Sequence, residues 1–499
     1  MEHFDVIVIG GGLLGCHTLR ALTRYSLKVG LLEAREDVCT GISRANTAIV
    51  YSGCDTKPGT LKSDMCVRAA QSFDALCRQL GVRYSPCGSL MISFGPNGEE
   101  TLRRKLAQGQ MNGARGLKLL SRDDVLAKEP GLNPAVTMGL YAPDAGTVNP
   151  WELCLAAAEN AVMNGAGLFL NTKVTGIRRT ADGYIIDTDG SQFYARGIVN
   201  CAGLFADKIL EMVTAPVIRL YPDAGDYYVL DTKTAGLINH VIFHEPEEKG
   251  KGLTLVPTID GNILLGPSRI SADAKDDTFP TSSEGLKTLR TLAETVIPAL
   301  PISQVIRSFG AIRPNPFYVS RDPATGALVR EHKSISSFML HESEHASNFL
   351  SLVGIKTPGL TCSDELGRYA ASRMAALLGV DQMNASFNPR REAPHRLSAL
   401  PVPERACLVC ENPSYGRIVC RCRGVTEGEI IDSIRRTPGA VTVDGVKRRT
   451  GAGSGRCQGG FCTQRIIEIL SRELGVAPDV VRKDRPGSYI LGGSSDEKL

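Results

Sequence analysis

The sequence predicts an α/β protein in which a nucleotide-binding unit of parallel strands is interleaved with an antiparallel sheet, followed by a small cysteine domain. Three features predict this arrangement. Residues 4–35 alternate strand, helix and strand around a cluster of glycines. Residues 227–270 are rich in strand formers and indicate a separate antiparallel sheet. Six of the 15 cysteines fall between Cys407 and Cys462, which indicates a compact domain of its own.

The first unit predicts a dinucleotide site. Asp5 to Ile9 is a short apolar run typical of a buried parallel strand, and Gly10, Gly12 and Gly15 follow in G-x-G-x-x-G spacing. In this pattern the first glycine permits the tight turn, the second lets the backbone approach a pyrophosphate, and the third lets the helix pack on the strand. The second strand ends at Glu33, whose carboxylate can accept both ribose hydroxyls of an adenosine. Spacing alone does not separate NAD from FAD.

Composition excludes several classes of protein. The net charge of +4 over 499 residues is too small to indicate nucleic-acid binding, and no run of 18 apolar residues is present to span a membrane. The first strand begins within five residues of Met1, so we expect no signal peptide. Nine cysteines are scattered singly, as is typical of reduced thiols in a cytosolic protein. We therefore expect a cytoplasmic protein, and interpret the final Asp-Glu-Lys-Leu as part of a cytoplasmic tail.

Further elements follow from local patterns. We predict a backbone-rich loop over residues 39–70 beside the cofactor, and a helix from Trp151 to Asn164 that ends at Gly165. We predict a strand running into a turn at Ser308 to Pro314, and a polar, irregular insertion over residues 316–336. The remaining predicted helices and strands are these: helices 13–25, 73–81, 99–110, 282–297, 363–378 and 427–435, and strands 28–32, 84–94, 137–141, 168–174, 195–203 and 349–354.

The cysteine domain predicts a metal centre. Cys420-x-Cys422 and Cys457-x4-Cys462 are two close pairs separated by 34 residues. Four thiolates make a soft site suited to an iron–sulfur cluster or to zinc, and the residues alone leave both open. A further pair, Cys407-x-x-Cys410, is interpreted as two thiols near solvent, with a second metal or redox pair as the alternative.

Larger motifs carry a family resemblance. The order DVIVIGGG…GLLEAR, ARGIVNCAGLFAD and FLSLVGIKTPGLT, spread over about 360 residues, resembles the D-amino-acid-oxidase-like superfamily of FAD-dependent oxidoreductases. The resemblance implies a Rossmann-like FAD-binding domain interleaved with an antiparallel-sheet substrate domain (α+β). CRCRGVTEGEI…VKRRTGAGSGRCQGGFC resembles the bacterioferritin-associated-ferredoxin-like (BFD-like) [2Fe-2S] domain, in the version fused to catalytic subunits of bacterial anaerobic glycerol-3-phosphate dehydrogenases. The second resemblance implies a small C-terminal helical domain holding a cluster.

The resemblance also implies site residues. The closing turn at residues 354–361 would direct backbone N–H groups and a helix start at the pyrimidine side of the flavin, where negative charge develops. Arg448, Arg449 and Arg456 would offset the charge of the cluster. The implied FAD-binding residues are Gly10, Gly12, Leu14, Gly15, Glu33, Ala34, Arg35, Ser43, Arg44, Asn46, Thr47, Val174, Cys201, Ala202, Gly203, Gly354, Pro358, Gly359, Leu360 and Thr361. The implied cluster ligands are Cys420, Cys422, Cys457 and Cys462.

The substrate region departs from the family pattern at one position. In the glycerol-3-phosphate dehydrogenases and the related 2-hydroxyglutarate oxidases this loop ends in His-x-Gly, and here, in SRANTAIVYSG, Tyr51 stands where the His is usual. A tyrosine can hydrogen-bond a substrate oxygen but is a poor base at neutral pH. The stretch TKPGTLKS resembles the KPGSLK-like segment of the 2-hydroxyglutarate oxidases.

Four residues are candidates for catalysis. Arg313, in SFGAIRP, matches the arginine these families use to grip an anion, since a guanidinium binds a phosphate or carboxylate with two hydrogen bonds. Lys356 is a candidate for the same pocket. Tyr51 and His240 complete the set, with His240, like His244, a possible replacement for the missing base and otherwise a structural residue of the sheet.

These observations predict an FAD-dependent dehydrogenase that oxidises a small anionic secondary alcohol, with glycerol 3-phosphate the first choice. Hydride would pass to the flavin, and electrons would leave singly through the [2Fe-2S] cluster. The resemblance implies a second flavoprotein subunit and a small redox subunit as partners, and access to a membrane quinone would need such a partner because this chain has no membrane segment. The rivals are an L-2-hydroxy acid or an amino or imino acid (proline, hydroxyproline, an opine) as substrate. A rival of another class is a non-catalytic electron-transfer subunit.

The predicted boundaries place the FAD-binding domain at residues 1–70, 145–215 and 345–385, and the substrate domain at 71–144 and 216–344. A linker is predicted at 386–415, the BFD-like domain at 416–475 and a tail at 476–499.

Overall fold

The computed structural model describes residues 1–244, 252–271, 275 and 280–492. The chain forms two compact units, one of residues 1–34 and 39–390 and the other of residues 35–38 and 391–499. The strands are β1 Glu2–Ile9, β2 Val29–Leu32, β3 Ile49–Val50, β4 Tyr84–Ser85, β5 Ser89–Ser93, β6 Lys118–Ser121, β7 Met138–Ala142, β8 Gly146–Val148, β9 Gly167–Phe169, β10 Val174–Arg179, β11 Tyr184–Thr188, β12 Gln192–Asn200, β13 Ile218–Leu230, β14 Val241–His244, β15 Thr254–Pro257, β16 Ile263–Leu265, β17 Ile270–Ser271, β18 Val305–Arg321, β19 Leu328–Arg330, β20 Leu340–Glu342, β21 Phe349–Leu352, β22 Ile418–Cys420 and β23 Val425–Thr426. The α-helices are α1 Leu13–Leu22, α2 Leu61–Leu80, α3 Pro96–Met111, α4 Arg122–Lys128, α5 Pro150–Met163, α6 Ala206–Leu210, α7 Ser283–Val296, α8 Ser363–Leu377, α9 Val402–Glu411, α10 Glu427–Arg435, α11 Val443–Thr450 and α12 Thr463–Leu474.

A parallel sheet forms the centre of the first unit. Its parallel strands pair in the order β9-β2-β1-β12-β21, and the hairpin β10–β11 extends it through antiparallel pairing with β12. The central strands are apolar on both faces and buried, as parallel strands covered by helices are. The chain places β2 on one side of β1 and the later strand β12 on its other side, so the strand order changes direction at β1. In open α/β sheets a ligand binds at such a switch point, outside the carboxyl ends of the strands.

Helices cover this sheet, and α1 is the most deeply buried of them. Nine of its ten residues are buried, and it packs against α5 and α8. A polar network fixes one of these contacts: the Asp364 carboxylate on α8 accepts hydrogen bonds from His17, at 3.2 Å, and from Arg20, at 3.1 Å, both on α1. Helix α8 therefore cannot slide along α1 without leaving a buried charge unpaired.

A ten-stranded sheet carries the predicted substrate domain. Its order is β19-β18-β13-β16-β15-β14-β5-β7-β6, with β17 beside β13, and its pairs are antiparallel apart from the parallel pair β14–β5. Its longest ladder joins β13 and β18 over 13 paired positions. The α/β class, the parallel unit and the antiparallel sheet are confirmed; part of the predicted 227–270 segment and the last residues of the predicted tail lie outside the described residues.

Three local predictions are wrong, one of them the irregular insertion at 316–336, which contains the end of β18 and all of β19. The predicted loop over 39–70 contains the start of α2, because Thr60 and Ser63 form a capping box that begins a helix at Leu61. The predicted turn after SFGAIRP does not occur, since β18 continues through Pro314 to Arg321. Pro314 lies directly opposite Pro222 in this ladder. Opposed residues of an antiparallel pair alternate between hydrogen-bonded and non-hydrogen-bonded positions, and two prolines fit a non-hydrogen-bonded position because neither has an N–H to donate.

The second unit is a small helical domain. Helices α10, α11 and α12 pack around a core of Ile430, Val446, Ile466 and Leu470. Thr426 and Glu429 form a capping box at the start of α10, and the helix predicted at 427–435 is confirmed. The predicted linker at 386–415 contains α9, which is exposed along its length.

A buried ion-pair network holds α11 in the second unit. The Asp37 carboxylate, 1% exposed, accepts hydrogen bonds from the Arg449 guanidinium at 2.7 Å on each oxygen and from Arg448 at 3.0 Å. Arg448 also donates to Asp484 at 2.7 Å. Although burial opposes ionisation, these arginines hold the pKa of Asp37 below its usual value. Arg448 and Arg449 thus pair with the carboxylates of Asp37 and Asp484, whereas the sequence predicted that they offset the charge of the cysteine cluster.

None of the helices in the described ranges combines the length and the apolar character that crossing a bilayer requires.

We expect Asp37→Ala to destabilise the second unit by about 3–5 kcal/mol, because two buried arginines lose their shared carboxylate. Hydrogen exchange of the α11 amides measures this loss. Asp187→Ala, which removes an exposed pair with Arg178, is the control and should have a much smaller effect. Because the pKa of Asp37 is lowered in the folded state, its contribution is complete above the carboxyl's unfolded pKa of about 3.9 and is lost as the pH falls through the lower, folded value. Equal protection of α11 in both variants would contradict this role.

Candidate functional site

At the carboxyl edge of the parallel sheet, glycines leave a concave surface of backbone atoms, called the glycine cradle below. Gly10 follows β1 with a φ of +105°, and a Cβ there would lie 2.6 Å from the Cys201 carbonyl oxygen. A Cβ on Gly15 would lie 1.9 Å from the Gly10 oxygen, so only glycine permits α1 to start this close to the strand. Gly12 is the N-cap residue of α1 and offers no side-chain cap. The free end of α1 is therefore presented as backbone N–H groups, which is the arrangement that binds a pyrophosphate.

Two polar side chains border this cradle. Glu33, at the end of β2, accepts a hydrogen bond from Gly11 N–H at 2.6 Å, which holds its carboxylate beside the glycine turn. Ser43 accepts from Leu13 N–H at 3.0 Å, in the first turn of α1. Asn46 supports this loop by donating to the Ser43 carbonyl at 2.9 Å and accepting from Ala48 N–H at 2.8 Å. The residues present fit a dinucleotide whose phosphates face α1 and whose ribose faces Glu33.

The structure brings the other predicted FAD residues to the same edge. Cys201 to Gly203 follow β12, and Gly354, with a φ of +68°, follows β21. Thr361 accepts a hydrogen bond from Tyr51 N–H at 3.0 Å, which joins the closing turn to the loop after β3. Val174 opens β10. Arg35 falls instead in the 35–38 segment that belongs to the second unit. The FAD contacts of these residues stay predictions.

Arg313, Lys62 and Lys356 form a group of cations, and Arg313 also acts on Tyr51. Arg313 of β18 is close enough to influence the pKa values of Tyr51, Lys62 and Lys356. Lys356 Nζ donates to Asn315 Oδ1 at 3.1 Å. Burial, reinforced by the charges of Lys62 and Arg313, lowers the pKa of Lys356 to about 8. Burial also lowers the pKa of Lys62. Asp55 raises the pKa of Lys62 and Asp223 raises that of Lys356, but both pKa values remain below their usual range, so an anion bound among these three cations would stabilise their charged forms.

Tyr51 itself cannot serve as a base. Burial raises the pKa of its phenol to about 12, so the hydroxyl stays protonated at neutral pH. Its ring packs against Phe243, with the centroids 5.7 Å apart. Tyr51 can therefore donate a hydrogen bond to a substrate oxygen and forms part of an aromatic wall.

The other candidate base is engaged elsewhere. His240 Nδ1 lies 2.6 Å from Glu129 Oε1, and its ring meets Tyr141 edge-on at 5.7 Å. The same Glu129 carboxylate accepts from the His240 backbone N–H at 2.7 Å. The structure does not bring His240 into the group around Tyr51. Sequence reasoning missed Lys62 and Asn315, although Lys62 lies in the TKPGTLKS stretch that it singled out.

The four predicted ligand cysteines meet in the second unit. The Cys422 and Cys457 sulfurs are 3.8 Å apart, and the thiols of Cys420 and Cys462 are hydrogen-bonded to each other. Each spatial pair thus takes one cysteine from each sequence pair. The Cys462 thiol and three backbone N–H groups lower the pKa of Cys420 to about 6. Four sulfurs in two close pairs, with backbone N–H donors aimed at Cys420 and Cys457, fit a thiolate-bound cluster.

The remaining cysteine pair stands apart from this set. Cys407 and Cys410 lie on α9 and are exposed. Hydrogen bonding to Glu411 raises the pKa of Cys407, which disfavours its thiolate.

Comparison with known proteins agrees with both halves of this geometry. A family model described as FAD dependent oxidoreductase (DAO) matches residues 5–373, and one described as a BFD-like [2Fe-2S] binding domain matches residues 418–472. The glycerol 3-phosphate dehydrogenase of Caloramator mitchellensis is 39% identical over 497 residues, covering 99% of this chain and 100% of the relative. The human mitochondrial L-2-hydroxyglutarate dehydrogenase is 30% identical over 294 residues, covering 56% of this chain and 63% of the relative. Among solved structures, dithionite-reduced L-alpha-glycerophosphate oxidase from Mycoplasma pneumoniae with FAD bound is similar with a TM-score of 0.70 and 26% identity, covering 79% of this chain and 100% of that one.

We expect Cys457→Ser to remove the iron of the protein and leave its flavin spectrum intact, because the thiol lies in the second unit and the glycine cradle in the first. The anaerobically purified protein should carry about two irons, as a [2Fe-2S] centre does. Cys410→Ser is the matched control, since it removes an exposed thiol outside the set of four. Elemental analysis that finds stoichiometric zinc, or iron unchanged in Cys457→Ser, would contradict the assignment.

Proposed function

Because the chain belongs to the family of FAD-dependent oxidoreductases and carries a BFD-like [2Fe-2S] domain, we propose that it is a dehydrogenase of glycerol 3-phosphate. The observation that supports this substrate is the group of three cations, Arg313, Lys62 and Lys356, beside a protonated tyrosine. A small dianion matches such a group better than a zwitterionic amino acid, whose ammonium the cations would repel. The full-length similarity to a glycerol 3-phosphate dehydrogenase supports the same proposal.

Each side chain then has a defined task. Arg313 and Lys62 bind the phosphate, the guanidinium through two parallel hydrogen bonds. Tyr51 donates to a substrate oxygen. Lys356, held by Asn315 and carrying a pKa of about 8, takes the proton of the secondary hydroxyl as the carbinol C–H bond breaks and the ketone forms. When bound, FAD supplies the hydride acceptor and the [2Fe-2S] cluster supplies a one-electron exit.

The cradle residues have a parallel task in cofactor binding. We propose that Gly10, Gly12 and Gly15 leave room for the FAD pyrophosphate at the start of α1, and that Glu33 accepts the adenosine ribose hydroxyls. The N–H groups of the turn at 354–361 would support negative charge on the flavin.

We also propose that the protein works in the cytoplasm and delivers its electrons to partner subunits, a second flavoprotein and a small redox subunit. The cysteines support a reducing compartment, since all 15 lie in described parts of the chain and none is in a disulfide.

Anaerobic reduction of the flavin tests the substrate. We expect glycerol 3-phosphate to bleach the flavin, and L-2-hydroxyglutarate and proline to leave it oxidised at the same concentration. Bleaching by 2-hydroxyglutarate alone would reassign the substrate to a hydroxy acid. A flavin that dithionite reduces but no candidate substrate bleaches would favour the non-catalytic electron-transfer subunit.

Arg313→Ala tests the anion site. Loss of a charge-assisted contact to a buried anion costs about 2–5 kcal/mol, so half-maximal flavin reduction should need at least about thirtyfold more glycerol 3-phosphate. The cluster should still accept electrons from dithionite. Arg307→Ala, an exposed arginine on the same strand, is the control. An unchanged concentration dependence in Arg313→Ala would place the anion elsewhere.

The pH dependence of flavin reduction in variants of Lys356 tests whether this residue accepts the substrate proton. Because only the neutral amine can take a proton, kcat/KM for flavin reduction should rise with pH and level off above a pKa of about 8. Lys356→Met should remove this limb, and Lys356→Arg should not restore it, since arginine stays charged. A limb that persists in Lys356→Met belongs to the substrate or to another residue and would exclude Lys356 as the base.

A further inference from the structure

Phe461 is exposed to solvent, and in the sequence it lies between two of the predicted cluster ligands, Cys457 and Cys462. Its side chain is 89% exposed, the largest fraction among the large hydrophobic side chains in the part of the chain that the structure describes. It lies four residues after Cys457 and directly before Cys462. Cys422, 3.8 Å from Cys457 at the sulfurs, is exposed as well. The exposed aromatic ring therefore marks the side of the cysteine set that is open to solvent.

The loop that carries Phe461 is held in place by hydrogen bonds. The Phe461 backbone N–H donates to the Cys457 sulfur, and Gly460 N–H donates to the Cys457 carbonyl at 2.9 Å. Thr463 Oγ1 donates to the Gly459 carbonyl at 2.7 Å. Because the backbone is fixed on both sides, the ring does not reach solvent through a flexible loop. It occupies a defined position there, as an interface anchor does.

The loops around the ring are rich in basic residues, and the acidic residues Glu411, Glu427, Asp444 and Glu468 flank them directly. Residues 412–426 contain three arginines, and residues 445–467 contain four arginines and a lysine, with no Asp or Glu in either range. Arg448 and Arg449 form ion pairs with Asp37. Arg417 and Arg465 both form ion pairs with Glu427. Arg421, between Cys420 and Cys422, is exposed. The surface beside the cysteines is thus apolar at its centre and basic at its margin.

We propose that the surface formed by Phe461, Cys422 and Arg421 is the docking site for an acidic one-electron carrier protein, with the Phe461 ring as its apolar anchor. The proposal rests on the cluster as the electron exit of the proposed function. An acidic partner is favoured because opposite charges steer the two surfaces together, while a buried aromatic ring at the centre slows dissociation. An open ligand edge places the redox centre at the contact.

The test uses the full-length holoprotein reduced with dithionite, so its outcome does not depend on which substrate reduces the flavin. The reduced protein is mixed in a stopped-flow apparatus with cytochrome b5 as an acidic carrier and, separately, with cytochrome c as a basic one. We expect cytochrome b5 to be reduced in a second-order reaction that slows by at least about tenfold between low and physiological salt. Phe461→Ala should slow this reaction by about tenfold or more, and Phe461→Leu should recover most of the rate. Tyr489→Ala, an exposed aromatic residue of the same unit, is the control and should not change it.

A second measurement does not require electron flow. Binding of oxidised cytochrome b5 to the oxidised protein, followed by NMR shifts of labelled carrier, should weaken in Phe461→Ala and in Arg421→Gln. The iron content and the midpoint potential of Phe461→Ala should equal those of the unmodified protein. A lower iron content or a shifted potential would show that Phe461 supports the cluster and would overturn the proposal. So would faster reduction of cytochrome c at low salt, or binding to anionic lipid vesicles that disappears in Phe461→Ala.

Discussion

The close approach of α1 to the end of β1 is the constraint on which the first unit depends. A Cβ on Gly15 would lie 1.9 Å from the Gly10 carbonyl oxygen, a distance that no rearrangement of side chains can relieve because the obstacle is backbone. Only with glycine at both positions can the first turn of the helix sit directly above the strand. That placement aims the N–H groups of α1 at the switch point of the sheet and brings Glu33, at the end of the neighbouring strand, beside the same turn.

Helix α1 also contacts the element that leads to the substrate side of the first unit, helix α8. His17 and Arg20 on α1 bind Asp364 in the first turn of α8, and α8 begins two residues after Thr361. Thr361 in turn accepts the backbone N–H of Tyr51. The start of α1, the closing turn and the tyrosine are thus joined by hydrogen bonds through buried groups.

The sequence allowed the cradle to be predicted because its determinants are local: glycine spacing, one apolar strand and one terminal acid. The same holds for the cysteine set, where four thiols in one domain suffice. The long strand β18 could not be predicted, because Pro314 argues against a strand until its partner Pro222 is known to stand opposite. Lys62 was missed since its relation to Arg313 depends on how α2 folds back from the loop, and His240 was offered as a base because Glu129, 111 residues away in sequence, could not be foreseen as its partner.

The departure at Tyr51 has a consequence for how this chain can perform its family's chemistry. A phenol whose pKa is raised to about 12 remains a donor at every physiological pH, so proton abstraction has to come from another group. Lys356 is the group that we propose: burial, together with the charges of Lys62 and Arg313, lowers its pKa to about 8, and the same two cations are the ones proposed to bind the anion. The positive charge that selects the substrate therefore also creates the base that oxidation needs. Removing the charge of Arg313 is therefore expected to weaken anion binding and to raise the pKa of Lys356 together.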